Sequence, residues 1–451
     1  MIDDCARKLV KKFSGSAPRY TSYPTAPNFS AEITDGVYSD WLQTLPPEAQ
    51  LSIYAHIPFC DTLCWFCACR AQGTKIYPPV QRYLSFLMRE IDQVAELLEG
   101  RKAVQMHWGG GSPTILEPTD FLALAAHFRS RLDFAPDADF DVEIDPRDMT
   151  SSKLDGVAAA GVTRASLGVQ DFSPEVQHAV NRIQSFDTTK RVVDGLRERG
   201  VRRLNIDALY GLPKQTLERV ERTIDLVIEL APDRVALFGY AHVPWMAKRQ
   251  KLIDASSLPE GEERVEQAEA AAAKLRAAGY QRIGLDHFAR PDDPMAIAAT
   301  NGDLKRNFQG YTVDSAEALI GFGASAIGKL PQGYVQNVPA TAAYQRRIED
   351  SGFAIERGLK LSADDRMRGY VIERLMCDLT FDRNDLKAIF GERATTMIPI
   401  AEHLLRSLPQ ETISRTNGGF RVTETGRPFV RNIAAEFDAY LNQGARYSRA
   451  V

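Results

Sequence analysis

Residues 51–69 read LSIYAHIPFCDTLCWFCAC, a strand-like apolar run, Leu51–Ile57, running straight into a loop that holds Cys60, Cys64, Cys67 and Cys69. The same succession of apolar run, loop and helical segment recurs down the chain. Further strand-like runs fall at Ala103–Trp108, Asp139–Ile144, Arg164–Val169, Arg203–Leu209 and Arg234–Gly239. Helix-like segments lie between them at Val80–Leu98, Thr119–Arg131, Phe186–Arg199 and Leu217–Leu230. Strands alternating with helices predict βαβ units, an α/β fold and a parallel sheet. Periodicity alone leaves two forms open: a partial (β/α)6 TIM-like barrel and an open doubly wound sheet.

Outward from this series, an Ala- and Glu-rich helix is expected at Gly261–Ala278 and another strand at Gln281–Leu285. After about residue 335 the rhythm changes. Helices are expected at Ser362–Cys377, Arg393–Ser407 and Thr425–Leu441, with a hairpin over Thr412–Val422 turning at Asn417-Gly418. Ahead of the first strand, Gly15–Pro27 (GSAPRYTSYPTAP) reads as an extended arm lying on the main domain. We therefore expect an N-terminal arm or cap over 1–48, the barrel domain with its extension over 49–335, and a mainly helical domain over 336–451.

The 451 residues are 44% hydrophobic and 25% charged, which suits a globular protein able to bury its own core. Lys+Arg 55 against Asp+Glu 59 gives a net charge of −4, so no bulk electrostatic attraction to nucleic acid or membrane is expected. No apolar run is long enough to span a bilayer. Met1-Ile2-Asp3-Asp4 lacks the basic flank and apolar stretch of a signal peptide. The expected setting is the cytoplasm.

In a reducing compartment, four thiols within ten residues point to a metal or cluster rather than to disulfides. Cys5 and Cys377 stand apart. Zinc could take all four, with Cys69 closing the site. A four-iron cluster on Cys60, Cys64 and Cys67 would leave one iron open to a small molecule, as catalysis needs. Other polar residues collect where the strands end: Gly109–Gly111 and Ser112, then Glu143 and Asp145, Gln170 and Asp171, Asp207, and Tyr240 and His242. That edge carries the site in parallel α/β folds. Tyr54 and His56 share one strand face there. The glycine run reads either as a tight turn or as a place where backbone approaches a charged ligand.

The spacing Cys60-x3-Cys64-x2-Cys67 is the motif of the radical S-adenosylmethionine family. Residues 18–26 (PRYTSYPTA), the additional Cys69, 107–114 (HWGGGSPT), 143–147 (EIDPR), 207–215 (DALYGLPKQ), 240–242 (YAH), 286–293 (DHFARPDD) and 306–312 (RNFQGYT) extend the likeness over essentially the whole chain. Together they resemble the oxygen-independent coproporphyrinogen III oxidases. Ala68, where glycine is common, and Ser112, where threonine is common, are small departures.

The resemblance implies a 4Fe–4S cluster on Cys60, Cys64 and Cys67, and a 5′-deoxyadenosyl radical made from S-adenosylmethionine at its open iron. The implied reaction is oxidative decarboxylation of two propionates of coproporphyrinogen III to vinyl groups, giving protoporphyrinogen IX. It also implies two S-adenosylmethionine molecules. Tyr54, Gly110, Glu143 and Ile327 resemble contacts to the first. Phe66, Gly111, Ser112, Gln170, Arg182, Asp207 and Ala241 resemble contacts to the second. Glu143, Cys69 and Gln309 are the catalytic candidates, Cys69 without a place on the cluster, and Phe308 is expected beside Gln309 near substrate. Four propionates call for basic anchors, for which Arg19, Arg290, Lys305 and Arg306 are candidates. The implied partners are the porphyrinogen and a cytosolic electron donor, with the protein acting as a monomer. The runner-up is a haem chaperone of the same superfamily, a group that generally lacks the fourth cysteine and the PRYTSYPTA arm.

Overall fold

The computed structural model describes residues 4–13, 15–441 and 447–449; residues 1–3 and 14 of the expected arm, and 442–446 and 450–451 of the expected C-terminal domain, lie outside the described residues. All six expected strands form, as β1 (Leu51–Ile57), β2 (Lys102–Gly110), β3 (Asp133–Ile144), β4 (Arg164–Gln170), β5 (Arg203–Tyr210) and β6 (Arg234–Gly239). Each pairs parallel with the next in chain order. A doubly wound sheet would reverse its strand order at a switch point, so this unbroken order makes the fold a partial barrel. Helices α1 (Pro78–Glu96), α2 (Pro118–Arg131), α3 (Ser151–Ala159), α4 (Phe186–Glu198), α5 (Leu217–Glu229) and α6 (Gly261–Ala277) follow the strands in turn.

Local chemistry starts these helices where they start. Prolines open α1 and α2, where a missing N–H loses no helical bond. Thr150, Ser185 and Thr216 accept the N–H of Lys153, Thr188 and Arg219 and so cap α3, α4 and α5. The strands alternate. On β4, Ala165, Leu167 and Val169 join the apolar core, while Arg164 and Ser166 line the barrel lumen. On β5, Leu204, Ile206 and Ala208 do the same opposite Asn205 and Asp207.

The sheet grows at both edges. The added strands are β7 (Gln281–Ile283), β8 (His287–Ala289), β9 (Ala318–Phe322), β10 (Ile327–Leu330), β11 (Gly333–Asn337) and β12 (Ile355–Lys360). The twelve run β12-β11-β10-β9-β1-β2-β3-β4-β5-β6-β8-β7. β9 lies parallel to β1, and the other additions pair antiparallel. The strand expected over Gln281–Leu285 stops at Ile283 because Gly284, at φ +52°, turns the chain. The break expected at 335/336 falls inside β11, and α7 (Thr341–Ser351) with β12 carries the sheet on to Lys360.

Beyond it stand α8 (Ala363–Asp378), α9 (Arg383–Phe390) and α10 (Ile398–Ser407). Thr380–Asp382 and the expected hairpin form a small antiparallel sheet, with Ile413–Arg415 and Gly419–Val422 flanking Asn417-Gly418. The helix expected from Arg393 begins only at Ile398, since a 3-10 turn over Gly391–Thr396 precedes it and Pro399 occupies its first turn. The helix expected over Thr425–Leu441 shrinks to a 3-10 turn at Arg427–Phe429 and a short helix at Val430–Ala435. Pro428 interrupts its start, and the Asp438 carboxylate turns the chain by accepting the Tyr440 N–H at 2.8 Å.

The arm is not extended throughout. Asp4–Lys12 is helical, and so is Asp35–Gln43, capped by Thr34 and burying Tyr38, Trp41 and Leu42. Between them, Tyr20 and Tyr23 enter a second apolar core with Ile372, Leu375, Phe420 and Phe437. Arg19 Nη2 donates to the Gly239 carbonyl at 2.7 Å, which ties the arm to the barrel rim. Among the described residues no helix is long and apolar enough to cross a membrane.

Candidate active site

The cysteine loop is clamped at its base. Phe59–Cys60 pairs with Gln72–Gly73, and the Gln72 and Thr74 N–H groups donate to the Pro58 and Cys60 carbonyls at 2.9 and 3.0 Å. Asn181 Nδ2 holds the Leu63 carbonyl at 2.9 Å. Cys64 is buried, and two guanidiniums face its sulfur: Arg182 Nη1 at 3.3 Å and Arg147 Nη2 at 3.5 Å. Both clasp Asp145, at 3.2 and 2.6 Å. Burial alone would raise the Asp145 carboxyl, but Arg182 and Arg147 hold it down to about 2. Burial and the neighbouring thiols push Cys60 up to about 12. Cys67 goes the other way, down to about 6, because the Cys69 thiol hydrogen-bonds to it, and the Cys69 backbone N–H donates to the same sulfur at 3.4 Å.

Among the described residues no three His, Cys, Asp or Glu side chains gather on one ion-sized point, as a closed zinc site requires. A cube of four irons is wider than one ion and takes a cysteine at each of three corners. Three thiols on a clamped loop, with N–H donors to one sulfur, fit that group.

The glycine run serves this loop. Gly111 N–H donates to Ile57 at 2.8 Å and Ser112 N–H to Phe59 at 2.7 Å, so the tail of β2 lies against the stem of the cysteine loop. A Cβ on Gly111 would overlap the Phe59 carbonyl, and one on Gly110, at φ +112°, would come within 2.6 Å of the His56 ring. Ser112 is buried, with Oγ 3.0 Å from Thr114 Oγ1.

Beside the loop opens a cavity of about 270 Å³. Tyr54, Gly110, Glu143 and Ile327, the four positions expected around the first S-adenosylmethionine, all line it, as do Cys69, Phe308 and Gln309. The Tyr54 hydroxyl lies 3.0 Å from His56 Nδ1, and His56 Nε2 lies 3.0 Å from the Arg70 carbonyl. Glu143 receives the Gly110 N–H at 3.2 Å and sits 3.4 Å from His107 Nε2. Burial would raise its carboxyl, yet His107 and that N–H bring it below its usual range.

Glu143 and Gln309 also line a second cavity of about 190 Å³, the lumen itself, together with Asp207. Burial, and then the charge of Glu143, push Asp207 up to about 7 although Asn205 and Ser166 donate to it. The Nε2 of Gln309 is buried without a partner.

The other positions expected around a second S-adenosylmethionine do not share one cavity. Phe66 packs in an apolar cluster with Trp65 and Tyr240. Gln170 ends β4 at φ +72°, beside a bulge. Arg182 lies in the buried loop after Pro174–Ala179, where Asp145 and Cys64 hold it. Ala241 lines a small separate pocket with Arg19 and Arg306. Of the other two anchor candidates, Arg290 spends its guanidinium on the Pro232 carbonyl and the Tyr280 ring, and Lys305 is exposed. Sequence reasoning passed over Arg147, His107, Ser166 and Asn205. For His107, Ser166 and Asn205 the signal was a polar row on alternate positions of strands that a parallel sheet should bury on both faces; Arg147 lies in the 3-10 turn Pro146–Asp148 after β3 and had no such signal.

The family described as the Radical SAM superfamily matches residues 54–227. The chain is 48% identical over 440 residues to the oxygen-independent coproporphyrinogen III oxidase of Cereibacter sphaeroides, covering 97% of each. It is 45% identical over 444 residues to that of Paracoccus denitrificans, again covering 97% of each. The solved coproporphyrinogen III oxidase of Escherichia coli is similar in structure at a TM-score of 0.91 and 38% identity, over 96% of this chain and 99% of that one.

Proposed function

The chain belongs to the oxygen-independent coproporphyrinogen III oxidases of the radical S-adenosylmethionine superfamily, and from that premise we propose how its residues divide the work. The reaction converts two propionate side chains of coproporphyrinogen III to vinyl groups and yields protoporphyrinogen IX. Each propionate gives up one hydrogen atom, one carbon dioxide and one electron. When bound, the 4Fe–4S cluster and S-adenosylmethionine supply a one-electron sulfonium cleavage whose 5′-deoxyadenosyl radical takes that hydrogen.

In this reading Cys60, Cys64 and Cys67 hold the cluster, and Arg182 and Arg147 stabilise the anionic sulfur of Cys64 by donating to it. Glu143, kept ionised by His107 and the Gly110 N–H, accepts from the amino or ribose donors of the first S-adenosylmethionine. Tyr54, Gly110 and Ile327 shape the space around it. Asp207 offers the lumen a carboxylate for the ammonium of a second S-adenosylmethionine, with Phe66, Gly111, Ser112, Gln170, Arg182 and Ala241 around its path. Gln309 stands between the two cavities with an N–H to give to a propionate, and Cys69 lines the first cavity beside the cluster. The barrel wall and the arm keep water from a carbon radical. The protein works as a monomer in the cytoplasm, fed by a cytosolic one-electron donor.

The observation that carries this reading is the meeting of Tyr54, Gly110, Glu143 and Ile327 on one cavity beside the cysteine loop. Its test is anaerobic turnover of coproporphyrinogen III by cluster-loaded protein with S-adenosylmethionine and a strong reductant. A product lighter by two carboxyl groups and their two β-hydrogens is expected. Unchanged porphyrin from protein that still cleaves S-adenosylmethionine would overturn it.

A further inference from the structure

Where the arm meets the barrel rim, five arginines surround a pocket of about 30 Å³: Arg19, Arg264, Arg306, Arg431 and Arg449, with Asp286 as the one acid in its lining. They come from the arm, α6, the 306–312 segment, the short helix Val430–Ala435 and the last described stretch, so no local repeat explains their meeting. Asp286 is already engaged, 2.9 Å from His287 Nδ1. Among the described residues none of the five makes an ion pair with a carboxylate. Four are held instead by backbone carbonyls: Arg19 by Gly239 at 2.7 Å, Arg264 by Tyr240 at 2.9 Å, and Arg306 by Tyr20 and Arg431 by Ala17, both at 3.2 Å, while Arg449 is exposed at the pocket's mouth. Buried N–H groups remain over, since Arg264 Nε, Arg431 Nε and Arg306 Nη1 have no partner. Burial and then the charge of Arg19 push the Arg431 guanidinium down to about 10.

Packing like charges out of water is costly unless an anion arrives to pair with them. The pocket is too small for a macrocycle but has room for the end of an acidic side chain. Planar guanidiniums with free N–H groups match a carboxylate. The pocket also adjoins the lumen: the Arg306 guanidinium stacks 4.4 Å over Tyr311, and Tyr311 and His287 both line the lumen wall. We propose that this five-arginine pocket grips a propionate carboxylate of coproporphyrinogen III that the reaction leaves intact, and so sets which edge of the macrocycle faces the radical. The proposal rests on the functional reading above, in which two of four propionates survive. Arg264, Arg431 and Arg449 join Arg19 and Arg306 as positioning residues. Arg290 and Lys305 are not among them.

The test uses full-length, cluster-loaded protein carrying Arg264→Gln or Arg449→Gln, checked for iron content and thermal unfolding. Losing one charge-assisted contact should raise KM for coproporphyrinogen III by about tenfold or more, with kcat far less affected and KM for S-adenosylmethionine unmoved. Arg264→Lys should recover part of the loss. A measurement on the unmutated protein needs no variant: coproporphyrin III, titrated by fluorescence quenching, should bind far more tightly than its tetramethyl ester, which has no free carboxylate. Equal binding of acid and ester, or an unmoved KM in folded variants, would overturn the proposal. So would a rise confined to S-adenosylmethionine, which would give the pocket to that molecule's carboxylate. An unmutated protein that leaves coproporphyrinogen III unchanged would sink the functional reading itself.

Discussion

A methyl group on Gly111 has nowhere to go, because the obstacle is the Phe59 carbonyl, a backbone atom in the stem of the cysteine loop. Gly111→Ala should therefore displace that stem and sharply lower the iron bound per chain, whereas Ser112→Thr, one carbon larger with its hydroxyl kept, should load normally. Full loading of the alanine variant would show that the stem gives way without cost. Asp207 offers a test by pH. Its carboxyl is held at about 7, above the unfolded value, so its contribution to stability is present at low pH and fades as pH rises through 7. Asp207→Asn should flatten the dependence of melting temperature on pH between about pH 4 and pH 7, the span from the unfolded to the folded value. The same titration governs cation binding. An ammonium in the lumen needs the ionised carboxylate, so the affinity of that site should fall below pH 7 in the native protein and be independent of pH in the variant.

Among elements, α1 does more than cover β1. Its Glu90 is buried and accepts from Gly323 N–H at 2.7 Å, Asn337 Nδ2 at 2.6 Å and the Tyr344 hydroxyl at 2.7 Å, so one carboxylate ties α1 to the turn after β9, to β11 and to α7. Glu90→Ala leaves three buried donors unpaired and should cost about 3 kcal/mol of unfolding free energy, read by denaturant titration. This is the scale at which the chain was most readable and also most deceptive. The six parallel strands stood out because their outer positions, such as Ala165, Leu167 and Val169, form regular apolar runs. The polar inner rows were equally visible as His107, Glu143, Ser166 and Asp207, but only Glu143 and Asp207 stood near a strand end and drew notice. Alternation on a parallel strand was the overlooked sign of a wet lumen. The shortening of the helix after Thr425 was only partly legible: Pro428 was in view, but the Tyr23 hydroxyl that accepts the Ala439 N–H comes from the distant arm. The arginine pocket was hidden for the same reason: Arg19 and Arg306 were readable in motifs, while Arg264 and Arg431 looked like ordinary residues of a helix surface.

At the scale of the molecule, the arm is a shared part. Tyr20 and Tyr23 belong to the core of the C-terminal body, while Arg19 belongs to the barrel rim. Deleting residues 1–29 should lower the melting temperature and raise KM for coproporphyrinogen III. The cysteine loop, clamped by Gln72, Thr74 and Asn181, should still take up iron. Loss of iron along with the arm would mean that the cap also holds the cluster loop in shape.

Ser16 pairs with Arg449 in a lone antiparallel bridge, and the Thr25 hydroxyl lies 3.1 Å from that of Tyr447. Thr25 and Tyr447 lie 422 residues apart in the chain, so these contacts wait on synthesis of the whole intervening stretch. The thiols leave the ribosome well before Arg431 and Arg449, which help to fasten the arm. Until those two arginines are made the arm lacks that latch, while the cysteine loop already has its clamp of Gln72, Thr74 and Asn181. A nascent chain halted before Arg427 would be a competent receiver of iron and a poor holder of porphyrin.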